Sequence, residues 1–180
     1  MGDRMTVRFR SDIRQWGDGA QLAAHLGHND PSLGAWWQAL VLHHTVAPTL
    51  AQWRGRQSML ALQRYYIGLG WDSGPHLFIA VGSPRPADDG IWQLTALSER
   101  GIHANRCNPY SIGIEVVGSY DRASWSSPMR SMVYDVLVRL QRWQRRPISI
   151  IGHRDCGSPK TCPGRAIDLD VVRADVARML

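Results

Sequence analysis

The chain has 180 residues, 44% of them hydrophobic and 20% charged, which suits one soluble domain with a proper core. No apolar run approaches bilayer-spanning length, so no membrane span is expected, and the three cysteines are too few and odd in number for a disulfide framework. A formal charge of +6 serves either solubility or attraction to an anionic partner, with nucleic acid, a membrane surface and acidic wall polymers all fitting the number alone.

Residues 1–38 carry scattered charges, Trp16 and the pair Trp36-Trp37. They read as irregular, with a short helix around 21–26, and His25 and His28 read as surface histidines. The first residues lack the apolar stretch of a secretory signal, so synthesis in the cytoplasm is expected. Ala39–His44 is a short buried strand. Thr49 to Ile67 turns helical, with Trp53, Leu60 and Ile67 seven apart and Met59, Leu62 and Tyr66 beside them. Glycines at 68, 70 and 74 end it. Residues 76–81 and 91–97 form a hairpin across a Pro- and Asp-rich turn.

The stretch 111–118 alternates. Ile112, Ile114 and Val116 fall on one face, and Ser111, Gly113, Glu115 and Val117 on the other. An acid inside such an apolar strand is costly if buried alone, so Glu115 belongs at a solvated cleft or beside a partner. Ser127-Pro128 reads as an N-cap and first helical residue. Met129, Met132, Val133, Val136, Leu137, Leu140 and Trp143 follow at helical spacing, up to Arg145-Arg146-Pro147. Ile148–Ile151 is a strand. A last helix starts near Leu169, capped by Asp168, with Val172, Val176 and Met179 inward. This alternation predicts an α/β fold, a single mixed β-sheet flanked by helices. Residues 38–180 form the main domain, and 1–37 an extension within the same globule.

The chemistry concentrates at His153-Arg154-Asp155-Cys156-Gly157-Ser158-Pro159-Lys160-Thr161-Cys162. Imidazole and thiolate both ligate zinc, and His43 at the end of a strand is the best third ligand. Two histidines and one cysteine leave the fourth tetrahedral position open, as in catalytic rather than structural sites.

Four segments occur in order: Val41-Leu42-His43-His44-Thr45, Gly70-Trp71 with Gly74, Ser111-Ile112-Gly113-Ile114-Glu115, and Gly152-His153-Arg154-Asp155 followed by Lys160-Thr161-Cys162-Pro163-Gly164. Over residues 38–175 the chain resembles the zinc-dependent N-acetylmuramoyl-L-alanine amidases of type 2, which include phage endolysins and peptidoglycan recognition proteins. The resemblance implies one Zn2+ per chain on His43, His153 and Cys162. It also implies Glu115 as general base, Lys160 at the oxyanion, and a groove for peptidoglycan. His103 falls at a groove-lining position, and His76, Asn108 and Thr45 join it as expected substrate contacts. Some phage amidases carry a catalytic Tyr where this chain has Pro75. That role is therefore absent here or passed to Glu115. His153 and Cys162 stand nine apart, one more than in many relatives, which leaves Cys156 as an alternative ligand. Cys107 and Cys156 are expected as ordinary buried thiols.

The implied activity is hydrolysis of the amide between N-acetylmuramic acid and L-alanine by a monomeric endolysin of phage or prophage origin. It would act on the wall after release, with anionic wall polymers as further partners. Recognition without cleavage and bacterial wall recycling are the alternatives. Relatives that only bind commonly lack the Cys ligand, which this chain keeps. Nucleic-acid binding is not expected, because the aromatics are not interleaved with basic residues.

Overall fold

In the computed structural model, residues 7–27 and 35–180 are described; His28 lies outside them. A six-stranded sheet runs in the order β1-β4-β3-β5-β2-β6. Its strands are β1 (Arg14–Trp16), β2 (Ala39–His44), β3 (Leu77–Ala80), β4 (Gly90–Gln93), β5 (Ser111–Val116) and β6 (Ser149–Gly152). The pairs β2–β5, β2–β6 and β3–β5 are parallel, while β3–β4 and β1–β4 are antiparallel. The sheet is thus mixed and flanked by helices, as expected. Every residue of β2 is buried, as befits a central strand in a parallel region covered on both faces.

Alternation along β2 and β5 sorts their side chains between two layers. Leu40, Leu42, Ile112, Ile114 and Val116 enter the larger core, under α1 (Gly19–Gly27), α3 (Ser127–Gln144) and α4 (Leu169–Met179). Burying Val133, Leu137 and Leu140 of α3 contributes about 1.5–3 kcal/mol each, an upper figure because unfolded chains are partly compact. The opposite face carries Phe78, Ala80 and Trp92 under α2 (Arg56–Gly68), and Val41 under the loops that follow β4 and β6. His43 and Glu115 project from this second face.

Several local expectations shift. The cap of α3 is Ser126, whose hydroxyl accepts the Met129 N–H, one residue before the expected Ser127. The helix expected from Thr49 is broken. A single 3-10 turn at Leu50–Gln52 precedes Gly55 at φ 49°, and α2 begins only at Arg56. A Cβ at Gly55 would lie 2.6 Å from Asp88 Oδ1 and 2.9 Å from the Trp92 ring, so the chain turns there where only glycine fits. Asp168 caps α4, and Val172 and Val176 are buried. Met179, however, is 47% exposed at the end of the helix. His25 is half-buried on α1 with its ring 5.1 Å from that of Trp16, rather than free on the surface.

The cysteines need a correction. Cys107 and Cys156 form a disulfide, with Sγ atoms 2.12 Å apart, where separate thiols were expected. It joins the 3-10 turn Asn105–Tyr110 to the turn His153–Cys156, packed against Val41 and Ala104. Cys156 is therefore removed from contention as a ligand, and Cys162 is a buried free thiol.

Candidate active site and metal centre

The site lies beyond the carboxyl ends of the parallel strands, where open α/β sheets place their ligands. His43 is the penultimate residue of β2, Glu115 sits opposite it in register on β5, and His153 follows β6 directly. Cys162 arrives from the loop after His153. Arg154 fixes that loop, its guanidinium donating to the carbonyls of Thr161, Gly164 and Ile167 while its N–H donates to Cys162 O. Asp155 Oδ2 accepts the Gly152 N–H and closes the turn that carries His153. The His-Arg-Asp run thus supplies one candidate ligand and two groups that set its geometry.

One ligand atom each from His43, His153 and Cys162 lies within 4.8 Å of the others. Cys162 Sγ is 3.6 Å from His43 Nδ1, near the roughly 3.5 Å edge of a tetrahedron built on zinc–nitrogen and zinc–sulfur bonds. The His44 N–H donates to the same sulfur at 3.3 Å, a contact that favours thiolate. Burial, with Glu115 adding to it, pushes the Cys162 thiol up to about 12, against the pull of Lys160 and Arg154. By donor chemistry and spacing the three residues fit zinc.

A chain of hydrogen bonds sets the tautomer of His43. His103 Nε2 faces the Ser111 carbonyl at 3.3 Å, and a carbonyl only accepts, so Nε2 carries the proton. Burial holds His103 neutral, its pKa down at about 3, so its Nδ1 is an acceptor. That atom lies 3.1 Å from His43 Nε2, which must donate. His43 Nδ1 is then left with its lone pair facing Cys162 and Glu115. This is the outer-shell arrangement that orients metal-bound imidazoles. Gly113 makes it possible, since a Cβ there would stand 2.5 Å from His103 Cγ.

Glu115 Oε1 is 3.8 Å from His43 Nδ1, and its Oε2 is buried with no hydrogen-bond partner among the described residues. Desolvation raises the carboxyl to about 8, and the Lys160 cation pulls it partly back. Lys160 is exposed at the rim of the same cleft, which measures about 760 Å³.

The cleft is lined by His43, Thr45, His103, Glu115, His153, Lys160 and Cys162, which brings together most of the residues singled out in the sequence. Two others it does not bring in. His76 is fully buried, accepting the Gly113 N–H at Nδ1 and reaching Glu99 O through Nε2, so it supports the strand behind His103 instead of touching a ligand. Asn108 Oδ1 accepts the N–H groups of His103 and Ala104 and pins the loop. Sequence reading missed the rim. Tyr65, Val46 and Leu69 are 61%, 52% and 47% exposed along it, with Tyr66 and Trp71 deeper in. The available signal was Tyr65 lying off the buried stripe of α2.

Residues 33–165 match the family model described as N-acetylmuramoyl-L-alanine amidase. The chain belongs to this family. A curated relative of the amidase-family chain is peptidoglycan-recognition protein 1 of Holotrichia diomphalia, 28% identical over 69% of this chain. The match spans 59% of that relative's length. Among solved structures, the Clostridium intestinale URNW endolysin amidase LysCS superposes with a TM-score of 0.57 at 18% identity, covering 81% of this chain and 86% of that one. Drosophila PGRP-LB, a point mutant in complex with tracheal cytotoxin, reaches 0.65 at 17% identity over 92% and 87%. At these identities the two structures establish the shared fold. The amidase-family chain therefore shares its architecture with both a lytic enzyme and a recognition protein.

Proposed function

We propose that this protein is a zinc-dependent peptidoglycan amidase that cleaves the bond between the lactyl group of N-acetylmuramic acid and L-alanine. The observation that carries the reading is the conjunction of a complete His-His-Cys donor set with a largely buried Glu115, whose Oε2 has no hydrogen-bond partner among the described residues, and a cationic Lys160 on one cleft. A binding module needs a cleft but has no use for an orphaned carboxylate beside three metal donors.

His43, His153 and Cys162 would hold the zinc, which supplies Lewis acidity to polarise the scissile carbonyl and acidify a water. Glu115 takes the proton from the attacking water. It then returns that proton to the departing amide nitrogen, a task suited to a carboxyl poised near neutral pH. Lys160 faces the charge that builds on the carbonyl oxygen. His103 keeps His43 in one tautomer, and the Cys107–Cys156 disulfide ties the His103 loop to the His153 turn.

A disulfide persists in oxidising surroundings, which supports action at the wall, and the net charge of +6 suits anionic wall polymers. No helix among the described residues is long and apolar enough to cross a membrane. An endolysin role in phage or prophage lysis accommodates these features. The second reading, recognition without cleavage, draws on the names of the curated relatives. Mass spectrometry of digested peptidoglycan separates the two. Release of stem peptides with free L-alanine amino termini, leaving intact glycan, is the expected result. Binding without new amino termini overturns the enzyme reading.

A further inference from the structure

Two tyrosines of α2 reach the cleft, and they are held very differently. Tyr65 is 61% exposed at the rim. Tyr66 is half-buried and its ring is clamped. One face stacks on Trp71, with centroids 5.6 Å apart and planes within 6°. Its edge rests on Gly74, where a Cβ would stand 2.9 Å from Cε2 and 3.0 Å from Cδ2. The Trp71 N–H donates to the Tyr66 carbonyl at 2.9 Å and folds the segment after α2 back over the ring. The glycines and tryptophan that follow α2 thus have a physical purpose: they set the direction of one phenol.

That phenol lines the cleft with Glu115, close enough to feel its charge. No side-chain hydrogen bond among the described residues engages the Tyr66 hydroxyl, and Glu115 Oε2 is buried without a partner among them. A rigid donor and a buried acceptor without partners line one cleft. An amide substrate and the water that attacks it complete both, the carbonyl oxygen accepting from the donor and the water donating to the acceptor. Pro75, which also lines the cleft, has no donor to contribute. Burial, with Glu115 adding to it, raises the phenol above its ordinary pKa, so it stays protonated and able to donate.

We propose that Tyr66 is a catalytic residue whose hydroxyl donates a hydrogen bond to the carbonyl oxygen of the scissile amide. The assignment rests on the amidase reading above. No proton leaves the phenol. A water oxygen bonds to the carbonyl carbon and the carbonyl electron pair moves onto its oxygen, where the Tyr66 bond strengthens. That pair returns as the carbon–nitrogen bond breaks, and the proton taken by Glu115 leaves on the amine.

The test is Tyr66→Phe, which keeps the ring, the Trp71 stack and the Gly74 contact. Steady-state kinetics on a soluble muropeptide should show kcat lower by about a hundredfold, in line with loss of one oxyanion donor. KM should change little, and zinc content and melting temperature should match the wild type. Gly74→Ala should displace the ring and slow the wild type, yet add little in the Tyr66→Phe background. A kcat within about twofold of wild type, a change in KM alone, or loss of zinc would each overturn the assignment while leaving the amidase reading in place. A wild-type protein that releases no amine overturns both together.

Discussion

His43 and Glu115 are register partners on adjacent parallel strands, and His43 Nδ1 stands 3.8 Å from Glu115 Oε1. The pairing places a candidate metal donor and a carboxylate on the same face at the same height, with the sheet itself as the ruler. It also has a cost, since Glu115 Oε2 is buried with no hydrogen-bond partner among the described residues.

Glu115→Gln should lower kcat by about a hundred- to ten-thousandfold while the protein keeps its zinc and its binding to peptidoglycan. It should also stabilise the metal-free protein. The folded carboxyl is raised from 4.5 to about 8, so the native state holds a proton that the unfolded chain has released. Native stability from this group is full below the unfolded value and is lost as pH rises toward about 8. The melting temperature of the variant relative to wild type, in chelator, should therefore climb across that window and level off above it. A flat difference would place Glu115 in a solvated setting.

Cys162→Ser should purify without zinc, whereas Cys156→Ser should retain it. Chelation should lower the melting temperature of the wild type, since a ligand at a thousandfold excess over its Kd stabilises by about 4 kcal/mol. Cys156→Ser should instead lose about 2–4 kcal/mol through opening of the disulfide, which spans 49 residues. Metal analysis and denaturant titration check the two halves separately. Zinc lost from Cys156→Ser and kept in Cys162→Ser would reverse the ligand assignment.

His103→Phe preserves a flat ring against Gly113 but removes the acceptor for His43 Nε2. Zinc affinity, measured by competition with a chromogenic chelator, should drop about ten- to a hundredfold. Activity should recover in part at saturating zinc. An unchanged affinity would show that His43 needs no partner to stay oriented.

Rising salt should slow lysis of intact cells more than cleavage of small soluble muropeptides. The net charge of +6 acts on an extended anionic surface, and screening shortens its reach to about 8 Å at physiological ionic strength. Equal salt sensitivity on both substrates would reduce the charge to an aid to solubility.

What the sequence by itself determined is the part written in local periodicity. Strand β2 follows from a short apolar run, and strand β5, the face on which Glu115 lies and the amphipathic α3 follow from repeats of two or of 3.6 that the backbone converts directly into a direction in space. The three-residue edge strand β1 offered too short a stretch to alternate. Everything that depends on two distant segments meeting was left to the tertiary structure. It bonded Cys107 to Cys156 where an odd cysteine count argued for thiols. It buried His76 and turned Asn108 onto the backbone. It broke the helix at Gly55, where the backbone turns at φ 49° and Asp88 and Trp92 leave no room for a side chain. It aimed Tyr66 into the cleft by stacking Trp71 on it. Periodicity says which way a side chain points from its own element; only packing decides what it meets there.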